Sequence, residues 1–396
     1  MKIAIIASHP NLSTGYANIA SSISNELVKY VEVIYLGFQN SSPINIERNL
    51  NDNVKVFDLF KLDSKSENGF GDNAILPILW FEKPDIIIIY NDHGVTSAVL
   101  KIIKNYICKK WCYLDLVYEC QYPENINYIR DNCDLILTFT DSWKQHLNKV
   151  YFIPENKMYT LYHGIKKLTP SLTRKELGFK NDDYIILSLN RNDSRKNLDL
   201  VISSFLIYYK KCPQKDSLYL FMNCQMNSGL NIIEYIKLMC STLDLNFEEV
   251  QNHIRTPPNS GFVTDNYIHS LYKECDAGIS ITSGEGFGLT VIEHIQYNKP
   301  VICSRIPVFE ELLGNNYPFF INPVCSGFSH CNLGGIKQYF KLEDCVKMLE
   351  NVCFKTNYYK PNLQVNLNWE DIIQKFVNLH ITFEGSSSVH NSKIEK

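Results

Sequence analysis

The chain has 396 residues, with 45% hydrophobic and 12% aromatic side chains, and a formal net charge of −3 from 39 basic and 42 acidic residues. Folded domains commonly run to roughly 100–200 residues, so two are expected, each with enough apolar side chain for a large core. The two signs of charge are interspersed, and no basic stripe or strongly basic domain stands out, which argues against duplex DNA or RNA as the main partner.

The N-terminal MKIAIIASHP is too soon interrupted to read as a signal peptide, and no run approaches the 18 or so apolar residues of a membrane span. A soluble, cytoplasmic protein is expected. Short β-rich runs then alternate with amphipathic helical stretches. Strands are predicted at 3–7, 31–36, 54–57, 85–90, 111–114 and 135–139, and helices at 16–29, 95–107 and 141–148. Runs such as IAIIA and DIIIIY are apolar on both faces, as buried parallel strands must be. Repeated strand–helix–strand units predict an α/β protein with a doubly wound parallel sheet.

The same grammar restarts after residue 164. Strands are predicted at 184–189, 218–222, 278–281 and 301–304, and helices at 197–209, 230–243, 266–274, 289–297 and 342–350. In the first of these helices Leu198, Val201, Ile202 and Phe205 fall on one face. The division is therefore a first Rossmann-like domain over 1–164, a second over 165–365, a terminal helix over 366–380 and a polar, disordered tail over 384–396. The 13 cysteines form no CxxC pair, and no His completes a zinc set. They read as reduced, buried thiols that behave as small hydrophobes.

Two segments carry chemistry. The first is SGEGFGLTVIE, Ser283–Glu293, which follows a buried strand and opens a helix with Gly284, Gly286 and Gly288 in the turn. Such a junction turns backbone N–H groups toward an anion, and glycine lets the backbone approach a phosphate closely. Glu285 and Glu293 bracket it. Carboxylates are poor phosphate ligands but good acceptors for paired hydroxyls, so the pattern suits a diphosphate with a polyol on either side. The second segment is LNRNDSRKNLD, Leu189–Asp199, again at a strand-to-helix transition, with Arg191 and Lys196 five apart and Arg195 beside Lys196. Two cations there can neutralise a diphosphate, Arg through its fork and Lys as a point charge. A Gly-rich turn with a surface Glu, and a solvated basic turn, are the plainer readings of each segment taken alone.

Together the segments resemble glycosyltransferase family 4, retaining enzymes of the GT-B fold. SGEGFGLTVIE resembles the E-x7-E motif of that family, and LNRNDSRKNLD its Arg-x4-Lys segment, in a variant reading N-R-N-x-x-R-K. The resemblance runs over residues 1–380 and is densest at 184–312. It implies two Rossmann-like doubly wound domains facing a central cleft. It also implies transfer of a sugar from a nucleoside diphosphate sugar to an acceptor hydroxyl, with retention. By that likeness Arg191 and Lys196 hold the donor diphosphate, Glu293 the ribose and Glu285 the transferred sugar. The backbone around Gly286, Phe287, Gly288 and Leu289 touches sugar and phosphate.

In the first half, SHPNLSTGYANIA places Gly15 at a helix start, where the family often has a Gly-rich loop near donor phosphate; a single glycine departs from that pattern. Asp92 and His93 follow the fourth strand. Asp115, after the fifth, looks like the family's acidic residue near the reacting centre, able to orient or deprotonate the acceptor hydroxyl; a helix cap is the alternative. His163 reads as a structural hinge residue. No D-x-D triplet occurs, so no metal or cofactor is expected, and the donor is GDP-mannose or a UDP-sugar. The acceptor would be a glycan, a lipid-linked acceptor or a protein. Lys101, Lys104, Lys109 and Lys110 beside Trp111 raise a peripheral membrane contact, against a solvated helix face followed by a buried strand. A catalytically inactive GT-B protein that binds sugar nucleotides or glycans is the alternative function.

Overall fold

A computed structural model of the protein describes residues 1–41, 50–166, 168–257, 263–331, 333–355 and 363–381. It divides into two compact units, Met1–Lys166 with Val365–Lys396, and Lys167–Gln364. The tail expected to be disordered, 384–396, lies outside the described residues.

The first unit is built on a parallel sheet of seven strands. In chain order these are β1 (Lys2–Ser8), β2 (Glu32–Phe38), β3 (Lys55–Asp58), β4 (Ile86–Asp92) and β5 (Lys109–Asp115). After a short β6 (Glu119–Gln121) come β7 (Leu135–Thr138) and β8 (Met158–Thr160), and the spatial order is β3-β2-β1-β4-β5-β7-β8. Ile3, Ile5, Ile87 and Ile89 are fully buried, which is why these runs carry no polar face. The strand order reverses between β1 and β4, the place where open α/β sheets bind ligands beyond the carboxyl ends.

Helices Gly15–Leu27, Asp72–Glu82, His93–Ile102, Pro123–Asn132 and Asp141–Tyr151 connect the strands. The pattern predicts neither the second nor the fourth of these; in the second, Pro77 interrupts the periodicity, and the helix begins after Gly71 at φ +66°, a conformation glycine adopts freely. The helix expected over 95–107 stops at Ile102, because Tyr106 turns inward to donate to the Leu79 carbonyl at 2.8 Å. Trp111, raised as a membrane contact, is buried in β5, edge-on to Phe376 at 5.6 Å. The stretch is a helix end followed by a buried strand.

The second unit has a parallel sheet of β9 (Tyr184–Leu189), β10 (Leu218–Asn223), β11 (Ile254–Arg255), β12 (Ala277–Ser280), β13 (Val301–Ser304) and β14 (Phe320–Ile321). Their order is β11-β10-β9-β12-β13-β14, so the reversal falls between β9 and β12. Both chemistry-bearing segments leave the sheet at that reversal. The helix Leu198–Lys211 lays Val201, Ile202, Phe205 and Tyr209 on Ile186 and Ile279 in one core. An antiparallel hairpin, β15 (Pro323–Phe328) with β16 (Gly334–Phe340), is not predicted because β15 is largely exposed and neither strand alternates cleanly. Nine of the 13 cysteines are buried and none forms a disulfide. Cys120, Cys325 and Cys331 depart from the expected burial, lying exposed on β6 and at the hairpin.

The chain returns to the first unit for its last described elements, the helix Trp369–Phe376 and a turn through Ile381. Ile165 N–H bonds to the Leu367 carbonyl at 2.8 Å, and Phe376 is fully buried. Gly164 makes the docking possible: a Cβ there would stand 2.3 Å from the Trp369 ring. Gly164→Ala should therefore destabilise the protein by about 1–3 kcal/mol, as other overpacked sites do. Paired with Trp369→Leu, which makes room, the loss should be less than the sum of the two single losses by chemical denaturation. Strict additivity would mean the two groups do not meet.

Candidate active site

The two motif loops of the second unit are stitched together by their own backbone. After β9 the chain makes a tight turn, Ser194–Lys196, capped by the Asp193 side chain accepting from Arg195 N–H at 2.9 Å. Asn197 follows at φ +44°, a left-handed position that Asn tolerates. Its amide donates to the Ile281 carbonyl at 3.2 Å and the Ser283 hydroxyl at 3.0 Å, while Ser283 N–H reaches the Arg195 carbonyl at 2.8 Å. The loop leaving β12 is thereby held against the loop leaving β9.

The contact places two cations on one carboxylate. Lys196 Nζ lies 2.5 Å and Arg195 Nη1 3.0 Å from Glu285 Oε2, and Arg195 also donates to the Gly284 carbonyl at 2.7 Å. All three side chains are at most 13% exposed. Burial alone would raise the Glu285 carboxyl; the charges of Arg195 and Lys196 outweigh it and hold the group down at about 2. Burial pushes the Lys196 ammonium down, against the pull of Glu285. The cluster carries two positive charges and one negative.

Arg191 is not part of it. Its side chain is 79% exposed, 3.9 Å from the Asp193 carboxylate. Arg195, noted in the sequence only as a neighbour, is the arginine that meets Glu285. The second Asn of the N-R-N segment also has a structural task. Asn192 donates to the carbonyls of Gln225 and Leu230 at 2.8 and 2.7 Å and accepts from Leu230 N–H at 3.0 Å, pinning the loop after β10. Nothing in one sequence distinguishes such a staple from a ligand contact.

Gly288 caps the helix Leu289–Ile295 with φ +83°, and a Cβ there would lie 2.1 Å from the buried Phe309 ring. No side chain fits. Gly286 and Phe287 are buried and Leu289 is half buried. Glu293, a helical turn further on, accepts a hydrogen bond from the Tyr272 hydroxyl at 3.1 Å. Tyr272 escaped the sequence reading because a Tyr within an amphipathic helix carries no signal of its partner.

The first unit gathers its own residues at the ends of β1, β4 and β5. Gly15 begins the helix Gly15–Leu27, whose cap is Thr14, accepting from Ala17 N–H at 3.1 Å. The next residue, Tyr16, donates to Asp115 Oδ2 at 2.5 Å, so the loop expected near the donor and the acid expected near the acceptor are joined. Asp92, beside Asp115 in the β4–β5 register, caps the helix His93–Ile102 through Gly94 and Val95 N–H at 2.8 and 3.0 Å. His163 is buried among Phe139, Tyr113 and Tyr90, and burial lowers it to about 3, so it stays neutral.

Residues 248–326, which include Glu285 through Glu293, match the profile of the family described as Glycosyl transferases group 1. Among curated proteins it is 25% identical over 191 residues to the O-antigen chain mannosyltransferase RfbU of Salmonella typhimurium. That match covers 48% of this chain and spans about half of the relative, 47% of its length. In fold it is similar to a sucrose-phosphate synthase from Thermosynechococcus elongatus, with a TM-score of 0.71 at 14% identity over 97% of this chain and 99% of the other. A glycosyltransferase from Rickettsia africae gives a TM-score of 0.65 at 19% identity, over 96% and 97%. The fold is GT-B, two Rossmann-like domains with parallel sheets. No helix among the described residues is long and apolar enough to cross a membrane.

Removing the carboxylate should leave two buried cations facing one another. Glu285→Gln is expected to lower stability at pH 7 by about 3 kcal/mol, the range for breaking a buried ion pair. The Glu285 carboxyl is depressed in the folded state. Its contribution is therefore complete above the unfolded carboxyl value, about 4.3, and disappears as pH falls through about 2. Denaturation curves of wild type and variant should converge over that window. Equal stabilities at pH 7 would show that the ion pair contributes nothing.

Proposed function

We propose that this protein is a glycosyltransferase that moves a sugar from a nucleoside diphosphate sugar to an acceptor hydroxyl, without a metal ion and with retention at the anomeric carbon. The observation that carries the reading is the buried Lys196–Arg195–Glu285 cluster at the strand-order reversal of the second unit. A diphosphate would pair with the two cations and leave Glu285 to accept from hydroxyls of the transferred sugar. Fixed cations in a poorly hydrated site stabilise charge that builds on the leaving nucleoside diphosphate without reorganisation of solvent. This supports departure assisted by side chains. Arg191, exposed at the entrance to the same turn, is assigned a diphosphate contact that forms only when the donor is bound.

Glu293 is proposed to hold the ribose, with Gly286, Phe287, Gly288 and Leu289 shaping the backbone beside sugar and phosphate. In the first unit, Gly15 is proposed to lie near the donor phosphate and Asp115 to orient the acceptor hydroxyl. The Tyr16 hydrogen bond supports a fixed carboxylate at that place. GDP-mannose is the preferred donor, supported by the N-R-N-x-x-R-K variant and by the likeness to RfbU, described as a mannosyltransferase; UDP-sugars are the second choice. A glycan, lipid-linked or protein acceptor and a cytoplasmic location belong to the same proposal.

In EDTA, either GDP or UDP should raise the melting temperature by several degrees, since a ligand at one hundred times its Kd stabilises by about 2.7 kcal/mol. Glu293→Ala should abolish the shift, and an unchanged shift in that variant would refute the ribose assignment. Without acceptor, the matching sugar nucleotide should be hydrolysed slowly. Binding with no hydrolysis at all would instead favour an inactive sugar-nucleotide-binding protein. Asp115→Asn should keep the thermal shift while transfer falls about 100-fold or more, the usual weight of a proton-transfer group. Retained transfer would remove Asp115 from the chemistry.

A further inference from the structure

The antiparallel hairpin of the second unit has no task in the proposed chemistry, yet it is tied to the motif loop. Gln338 N–H, in β16, donates to the Ser283 carbonyl at 2.9 Å, two residues before Glu285. In the hairpin Gly327 stands opposite Lys337 and Cys325 opposite Tyr339. Lys337 and Tyr339, two apart on one strand, share a face. Tyr339 leans across the pair onto its diagonal neighbour, Gly327. A Cβ on that glycine would stand 2.9 Å from Tyr339 Cε2 and 3.5 Å from the hydroxyl oxygen. The φ of Gly327 lies outside the left-handed region, so what this glycine supplies is space for the ring. Laid on that floor, Tyr339 is 41% exposed, and Lys337 Nζ stands 4.7 Å from its centroid.

We propose that Tyr339 is a stacking platform for a sugar ring of the acceptor, with Lys337 donating to that sugar's hydroxyls. The inference rests on the reading of this protein as a glycosyltransferase, and it narrows the acceptor to one that carries a saccharide. A pyranose presents a face of C–H groups and a rim of hydroxyls. Its C–H groups suit the negative face of an aromatic ring, and its hydroxyl oxygens accept from an ammonium. A lysine alone would take any anion, and a ring alone any apolar surface. The two together ask for a ligand that is apolar on one face and polar at its rim. The tether gives the platform its place in the reaction. Donor contacts are assigned to Glu285 and the turn that follows it, whereas the hairpin is bonded to the loop just before Glu285. A saccharide on Tyr339 is thus carried by the same loop that carries the carboxylate assigned to the transferred sugar.

The test titrates the full-length protein with the methyl glycosides of mannose, glucose, galactose and N-acetylglucosamine, read by saturation-transfer NMR. At least one should bind, with transfer strongest on the C–H protons of one pyranose face. Tyr339→Ala should weaken that glycoside about 10-fold, within the range that losing one stacking ring costs in nucleic-acid grooves. Tyr339→Phe should retain it, because stacking needs the ring and not its hydroxyl. Gly327→Val, which displaces the ring, should weaken it as the alanine variant does. Melting temperatures with GDP and UDP test the transferase reading separately. If a nucleotide shift is present but wild type binds no glycoside, or Tyr339→Ala binds it as tightly as wild type, the platform fails while the transferase reading stands. If glycoside binding needs Tyr339 but neither nucleotide shifts the wild type, the transferase reading fails and takes the acceptor role with it.

Discussion

Two like charges within reach of one carboxylate govern the second unit. Lys196 and Arg195 could not be brought side by side in a poorly hydrated corner unless Glu285 stood between them, and Glu285 could not remain ionised there without them. Each group makes the burial of the others tolerable. A buried ion cluster is a poor device for stability, since apolar residues of similar volume would serve the fold as well or better. Two cations held side by side are what the proposed diphosphate would need. The loops that build it are fixed by Asn197 and Ser283, which hold one strand-to-helix turn against the next at the reversal of the sheet.

The architecture was legible because its signals are repeated. Strands such as Ile3–Ala7 and Ile86–Ile89 are apolar on both faces, and only a buried parallel sheet accommodates that without exposing a face to water. Elements that break the pattern were missed for local reasons, among them the helix holding Pro77 and a hairpin whose first strand is largely exposed. Of the ion cluster, Lys196 and Glu285 stand in the two motifs. Which arginine joins them, Arg191 or Arg195, was not legible. Both lie in the same turn, and which one faces inward depends on the Asp193 cap and on the Gly284 carbonyl that Arg195 reaches, a group 89 positions away in sequence.

The first unit shows a related economy. Asp92 and Asp115 are neighbours in register at the ends of β4 and β5, and the same residue type serves two ends. Asp92 spends one oxygen on two backbone N–H groups and starts a helix, as the cap reading allows. Asp115 instead accepts from a side chain, Tyr16, that belongs to the loop after β1. A carboxylate tied to a helix end has little left to give a substrate.

The same logic separates Glu293 from Glu285, although a sequence presents them as a matched pair. Glu285 faces two cations, whereas Glu293 accepts from a phenol. A pyrophosphate arriving at the first would compete for the cations that Glu285 now holds, so binding there is an exchange of partners. On the proposed reading, the ribose would meet the carboxylate that a phenol holds, and the diphosphate the one that cations hold.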